Sequence, residues 1–354
     1  KHTTHRKLAA SIREVSSKAF MVETITQESI YEPVADDLQL VIEKIATIAD
    51  KTPENALEQV ESLDTQLGHV LATPGKRVRP ALTLLASKLW GQHSNELQIK
   101  MATAVELLHI ATLVHDDTVD HADTRRGHQT ASKLWGRNVA VLLGDFLFAT
   151  SAMYVCDTKN IGLVRRFAET ITELARGELD EIYTAWQPDV TLEVYKKRIY
   201  NKTASLFCTA AESGAILGGG DDQAIKDVRD YGYNIGMAYQ VYDDLLDYKS
   251  TSEQLGKPSG HDLNAGIITL PAIIAAENGA ANEIFKFFNA PEKVKADLLP
   301  KTVEAINQTG ALEKTYAVAN SYIETATKSL DSIAPSKYLD SMLYLAEYVQ
   351  KRDY

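Results

Sequence analysis

From Val34 onward, apolar residues recur at three- and four-residue spacing along almost the whole chain, the signature of amphipathic helices. Leu38, Val41, Ile42, Ile45 and Ile48 make one such face, and Leu192, Val194, Tyr195 and Ile199 another. Segments of about fifteen to twenty-five residues are separated by breaks where Pro and Gly cluster. These breaks are Thr73-Pro74-Gly75, Gly91, Arg125-Arg126-Gly127, Gln187-Pro188, Gly218-Gly219-Gly220, Gly256-Lys257-Pro258 and Asn289-Ala290-Pro291. No run alternates convincingly enough to be a strand. Residues 139–154 and 204–217 are apolar on most faces and are expected at the centre of the packing. The pattern predicts an all-α protein, a single large multi-helix bundle over residues 34–354 with a central active-site cavity. Residues 1–33 carry Glu14, Glu23 and Glu28 among their basic residues, too acidic for a transit peptide, and read as an N-terminal extension or helix.

Composition narrows the picture. With 45% hydrophobic residues in 354, one large core is within reach. Charge-free apolar runs fall short of the ~20 residues a membrane span needs, so a soluble protein without integral membrane contact is expected. A net charge of −11 argues against nucleic-acid binding. Cys156 and Cys208 are too few for a disulfide framework, and are expected as buried thiols in a reducing, cytoplasmic compartment.

The candidate chemistry lies in two acidic clusters of the form Asp-Asp-x-x-Asp, each following an apolar helical stretch. The first is Asp116, Asp117 and Asp120; the second is Asp243, Asp244 and Asp247. On a helix, Asp116 and Asp120 share a face, as do Asp243 and Asp247. Like charges at that spacing destabilise a bare helix by roughly 0.2–0.5 kcal/mol per pair. A single cluster is weak, since acidic runs usually mark a solvated face. Two of them, both flanked by apolar sequence, point to shared cations. Oxygen-only ligands suit a hard ion, and Mg²⁺ takes one or two carboxylates together with substrate phosphates. Basic residues punctuate the same regions: the Gly75–Pro80 turn with Lys76, Arg77 and Arg79, then Arg125-Arg126, Lys202-Thr203 and Lys257. Arginine offers a planar fork for phosphate oxygens and lysine a point charge. The composite is an enzyme that holds a phosphorylated substrate through Mg²⁺.

The stretches "PGKRVRPAL", "ELLHIATLVHDDTVDHADTRRG", "LLGDFLFA", "NKTASLF" and "AYQVYDDLLDYKSTSEQLGKPSGHDLNAGIITLP" follow one another in the order of a known family. From about residue 34 to the C-terminus the chain resembles a trans-type isoprenyl diphosphate synthase of the polyprenyl synthetase family. Pro74, where a second glycine is common, and Tyr239, where Phe is frequent, depart from the pattern without removing a ligand. The resemblance implies head-to-tail condensation of isopentenyl diphosphate with an allylic diphosphate. It implies that Asp116, Asp120 and Asp243 ligate Mg²⁺, with Asp117, Asp244 and Asp247 as direct or supporting ligands. Arg125, Lys202 and Lys257 would bind the allylic diphosphate; Lys76, Arg79, His109 and Arg126 would bind isopentenyl diphosphate. Thr203 and Gln240 would turn oxygen dipoles toward the allylic cation. A homodimer is also implied. Arg77 is expected at the surface, His115 without a role, and Asp123, Asp145 and Asp262 as supporting groups, caps or salt-bridge partners.

Product length depends on the floor beneath the first cluster. One helical turn before it, about 5.4 Å down, stand Thr112 and Ala111, with Leu108 a turn further. Short-chain members of the family often carry a bulky aromatic there, so the small pair predicts a hexaprenyl to decaprenyl product, centred on octaprenyl or solanesyl. An Ala111→Phe change is expected to shorten it. The alternatives are a short-chain farnesyl or geranylgeranyl synthase and a non-catalytic subunit of a heteromeric synthase. Intact Asp clusters and cationic turns weigh against the subunit. The second cluster weighs against a terpene cyclase, and the Lys76/Arg79 turn against a head-to-head synthase.

Overall fold

Helices cover nearly all of the computed structural model, which describes residues 26–49, 62–72, 75–91, 96–249 and 259–351. α1 (Gln27–Tyr31), α2 (Ala35–Ala49), α3 (Leu63–Leu71) and α4 (Val78–Ser87) lead to the long α5 (Glu96–Val119). A small hairpin, β1 (Thr124–Arg125) against β2 (His128–Gln129), and α6 (Ala131–Trp135) precede α7 (Arg137–Cys156) and α8 (Ile161–Thr184). α9 (Leu192–Ile199) runs through a π turn, Tyr200–Ala204, into α10 (Ser205–Leu217) and then α11 (Asp222–Lys249). The C-terminal part holds α12 (His261–Asn264), α13 (Leu270–Ala275), α14 (Ala281–Phe288), α15 (Glu292–Asn307), α16 (Ala311–Ser329) and α17 (Lys337–Gln350). The all-α bundle expected from the periodicity is what forms.

α10 is the axis of the packing. Its residues Ser205 to Ala211 are all buried, and α4, α5 and α11 close around it. Small residues make that approach possible. A Cβ on Gly236 of α11 would stand 2.6 Å from Cα of Ala204, and one on Gly177 of α8 would stand 2.6 Å from the backbone N of Lys202. The two bare backbones therefore grip the π turn from either side. Insertions of this kind recur at functional sites in helices, and this one carries Lys202 and Thr203.

Two expectations need correction. Residues 139–154 do not sit centrally: α7 lies at the periphery, packed on α5 by one face, with Val141, Leu142 and Met153 exposed on the other. Its all-round apolarity marks two buried or buriable faces rather than a central place. Cys156 is exposed at the end of that helix, while Cys208 is buried as expected. α5 and α7 are each long and apolar enough to cross a membrane once one or two charges are tolerated. For α5 most of that apolar surface is buried inside the bundle; for α7 most of it is not.

Candidate active site

Two adjoining cavities open where the ends of α5 and α11 meet the π turn. The larger, about 700 Å³, is lined by Asp116 and Asp120, by Asp243, and by Lys76, Arg79, His109, Thr112, Arg125, Arg126, Lys202, Thr203, Tyr239 and Gln240. A smaller one, about 70 Å³, shares Lys76, Arg79, His109, Arg125, Arg126 and Tyr239 and adds Arg77, Glu106 and Asp117. Residues from distant parts of the sequence, carboxylates and cations together, thus face one space. Lys257 lies outside the described residues, as does Pro74.

The first Asp cluster sits at the C-terminal end of α5, where the helix dipole is negative and a carboxylate is least welcome. Asp116 is half-buried there, and burial, then Glu178, pushes its carboxyl up to about 8 while Lys202 and Arg125 pull it back. Asp117 turns the other way: it is buried and accepts from Nε of Arg125 at 2.7 Å. That bond fixes Arg125 on the rim of both cavities. The β1–β2 loop, Arg126-Gly127, has positive φ at both residues, 49° and 80°, the primed turn that matches a tight hairpin. Arg126 accepts this strained geometry without being glycine, and such outliers concentrate at functional sites.

In the second cluster only Asp243 lines the cavity. Asp244 is fully buried, and it accepts from Tyr195 Oη at 2.6 Å and from Gln240 Nε2 at 2.9 Å. Burial and the neighbouring Asp262 push its carboxyl up to about 8 against those two bonds. Gln240 in turn accepts from Thr203 Oγ1 at 2.7 Å. A four-residue chain therefore runs from Tyr195 through Asp244 and Gln240 to Thr203 on the cavity wall. Asp247 caps α12, accepting from the backbone N of His261 at 3.0 Å and of Asp262 at 3.1 Å. Asp123 pairs with Lys133 at 3.1 Å, and Asp145 lies 3.6 Å from His115, both away from the cavity lining.

The cations are equally well held. Lys202 reaches Glu181 at 2.6 Å and Glu178 at 3.1 Å. Burial works to lower its pKa, but the two carboxylates outweigh that and hold the ammonium above its ordinary value. Arg79 lies half-buried over the ring of Phe207, 4.5 Å from its centre, with Nη1 3.3 Å from Nε2 of His109. An arginine can only donate, so Nε2 accepts and the His109 proton sits on Nδ1. Burial, then Arg79 and Arg126, holds His109 well below the usual imidazole range. His109 can therefore serve a diphosphate as a neutral donor and not as a cation. Arg77, expected at the surface, is instead a largely buried partner of Glu106 at 2.5 Å. It also adopts the left-handed conformation, φ 50°, which costs roughly 1–3 kcal/mol and needs such anchoring.

Of the three floor positions, Thr112 lines the large cavity; Ala111 and Leu108 are fully buried and are not among its lining residues. Sequence reasoning missed Glu178, Glu181, Glu106 and Tyr195. In the sequence the two glutamates of α8 look like a solvated helix face, and nothing local marks them as partners of a lysine some twenty residues on.

The Polyprenyl synthetase family model matches residues 60–306. The chain belongs to the polyprenyl synthetase family. It is 35% identical to the heptaprenyl diphosphate synthase component 2 of Geobacillus stearothermophilus, over 92% of this chain and 99% of that one. It is 36% identical to the octaprenyl diphosphate synthase of Escherichia coli, over 88% and 99%. Among solved structures, a polyprenyl synthase from Caulobacter crescentus complexed with calcium and isoprenyl diphosphate superposes with a TM-score of 0.83, at 32% identity, over 92% of this chain and 98% of that one. This member of the polyprenyl synthetase family is a prenyltransferase with the all-α isoprenoid synthase fold, and its relatives place it among the trans long-chain polyprenyl diphosphate synthases.

Proposed function

We propose that the large cavity lengthens an allylic diphosphate with isopentenyl diphosphate, one five-carbon unit per cycle, and that it does so with Mg²⁺ held at Asp116, Asp120 and Asp243. The observation that carries this reading is that these three carboxylates, from two helices, line one cavity with Lys76, Arg79, Arg125, Arg126 and Lys202. The donor set fits the ion: it is all oxygen. An oxygen donor set suits Mg²⁺, which takes one or two carboxylates and leaves positions open for water and substrate phosphates. The calcium and isoprenyl diphosphate of the Caulobacter structure support the same reading.

When bound, the cation supplies Lewis-acid neutralisation of the diphosphate leaving group. The protein does the rest. Arg125 and Lys202 bind the allylic diphosphate, Lys202 leaving Glu178 and Glu181 to do so, while Asp117 keeps Arg125 in place. Lys76, Arg79, Arg126 and neutral His109 bind isopentenyl diphosphate. The allylic C–O bond breaks, C4 of isopentenyl diphosphate forms the new C–C bond, and a proton is lost to the departing diphosphate. Thr203, oriented by Gln240, presents its hydroxyl oxygen to the allylic cation, a preorganised dipole in a site from which water is excluded. Beyond Thr112, the apolar wall of Leu113, Leu174 and Leu206 receives the tail, and the product we propose is octaprenyl or solanesyl diphosphate.

The exposed apolar stripe of α7 supports a homodimer; Leu142 is 67% and Met153 63% exposed. The name of the Geobacillus relative, component 2, favours as a second reading a different subunit on that face. The test of the site is Asp116→Asn and Asp243→Asn, each assayed for prenyl transfer across a Mg²⁺ titration. Losses on the order of 10²–10³ in kcat are expected. Full activity in either variant contradicts the assignment.

A further inference from the structure

Residues ahead of the matched stretch, which begins at 60, reach the site. The side-chain amide of Gln27 donates to the carbonyl of Lys76, and Tyr31 Oη donates to the same carbonyl at 3.0 Å. Gln27 also borders the larger cavity. From the other end of the chain, the ring of Tyr348 on α17 lies 5.9 Å from the Lys76 ammonium. α1 and α17 pack directly on one another, so the first and last described helices converge on this one residue. α1 is well anchored for its size. Ile30 and Tyr31 are buried, and Thr26 and Ser29 cap its start reciprocally.

We propose that Gln27 and Tyr31 are positioning residues for isopentenyl diphosphate, acting through the Lys76 carbonyl. The inference rests on the reading above that the Lys76–Arg79 turn binds that substrate. A peptide unit is planar, so the Lys76 carbonyl and the Arg77 amide turn together. Fixing the carbonyl with two donors, one for each lone pair, sets ψ of Lys76 and φ of Arg77 at once. That is the φ of 50° at which the chain bends between Lys76 and Arg79. Arg79 is anchored independently, over Phe207 and beside His109. Without the two donors only the side-chain pair of Arg77 with Glu106 opposes relaxation out of the left-handed region, and the Lys76 carbonyl itself is no longer held. Lys76 then moves relative to Arg79, and the two cations no longer address one diphosphate.

The test is steady-state kinetics on the full chain with Gln27→Ala, Tyr31→Phe and, as reference, Lys76→Ala, with melting temperatures alongside. Losing one such hydrogen bond is expected to raise KM for isopentenyl diphosphate about five- to tenfold. KM for the allylic diphosphate and kcat should stay near the parent values. If Lys76→Ala raises KM for isopentenyl diphosphate while Gln27→Ala and Tyr31→Phe leave it unchanged, the inference fails and the reading of the turn stands. If Lys76→Ala has no effect on that KM, the reading of the turn fails. A fall in kcat and a rise in both KM values together with a lowered melting temperature marks a structural role only, and also overturns the inference.

Discussion

At the scale of single residues, the site separates groups that face the cavity from groups held by their neighbours. Asp116, Asp120 and Asp243 face the cavity; Asp117, Asp244 and Asp247 are spent on Arg125, on Gln240 and Tyr195, and on the start of α12. His109 gives a pH signature. Its folded-state pKa lies well below 6.5 because burial and Arg79 disfavour its charged form, whereas the unfolded chain takes up that proton normally. The unfolded state therefore binds more protons at acid pH, and stability is lost as the pH falls below about 6.5, by at most about 1.4 kcal/mol per pH unit. Unfolding free energies measured from pH 8 to 5 are expected to fall less steeply for His109→Asn than for the parent. Parallel slopes contradict a neutral His109. The spacing of the aspartates was enough to find the clusters, and helical geometry enough to pair Asp116 with Asp120. The sequence alone could not tell an aspartate that lines the cavity from one bonded to its neighbours, because that depends on Tyr195 and Arg125 arriving from elsewhere in the chain.

At the scale of elements, the π turn is the part most sensitive to its neighbours. It is held between Gly177 and Gly236 with no room for a methyl group on either. Gly177→Ala would bring a carbon to 2.6 Å from the Lys202 backbone N. The expected result is a loss of roughly 1–3 kcal/mol of stability together with reduced kcat, since Lys202 and Thr203 shift with the turn. Chemical denaturation and kinetics on one preparation check both, and an unchanged kcat in a destabilised protein contradicts the link. Helix identity was legible throughout, because the 3.6-residue periodicity is a property of the chain itself. Placement was less so. α7 and α10 are similarly apolar in sequence, yet α10 is central and α7 peripheral, because hydrophobicity records that a face is buried without recording by what. Arg77 was misjudged for the same reason: Glu106, its partner, lies a helix away.

At the scale of the whole molecule, the fold brings two helix ends, a π turn and the start of α1 to one cavity, and leaves α7 with an apolar outer face. If a second copy covers that face, Leu142→Glu should convert a dimer to monomers by light scattering while leaving the helical content intact. A dimer that persists in this variant contradicts the use of α7 as the interface. The central claim is that this cavity builds a long prenyl chain. Its most direct test is incubation of the purified protein with Mg²⁺, labelled isopentenyl diphosphate and farnesyl diphosphate, with product lengths read by mass spectrometry. The expected result is a ladder that ends at octaprenyl or solanesyl diphosphate. A ladder that stops at geranylgeranyl diphosphate contradicts the open floor beside Thr112, and the absence of any product with any allylic primer contradicts the assignment of the cavity as the active site.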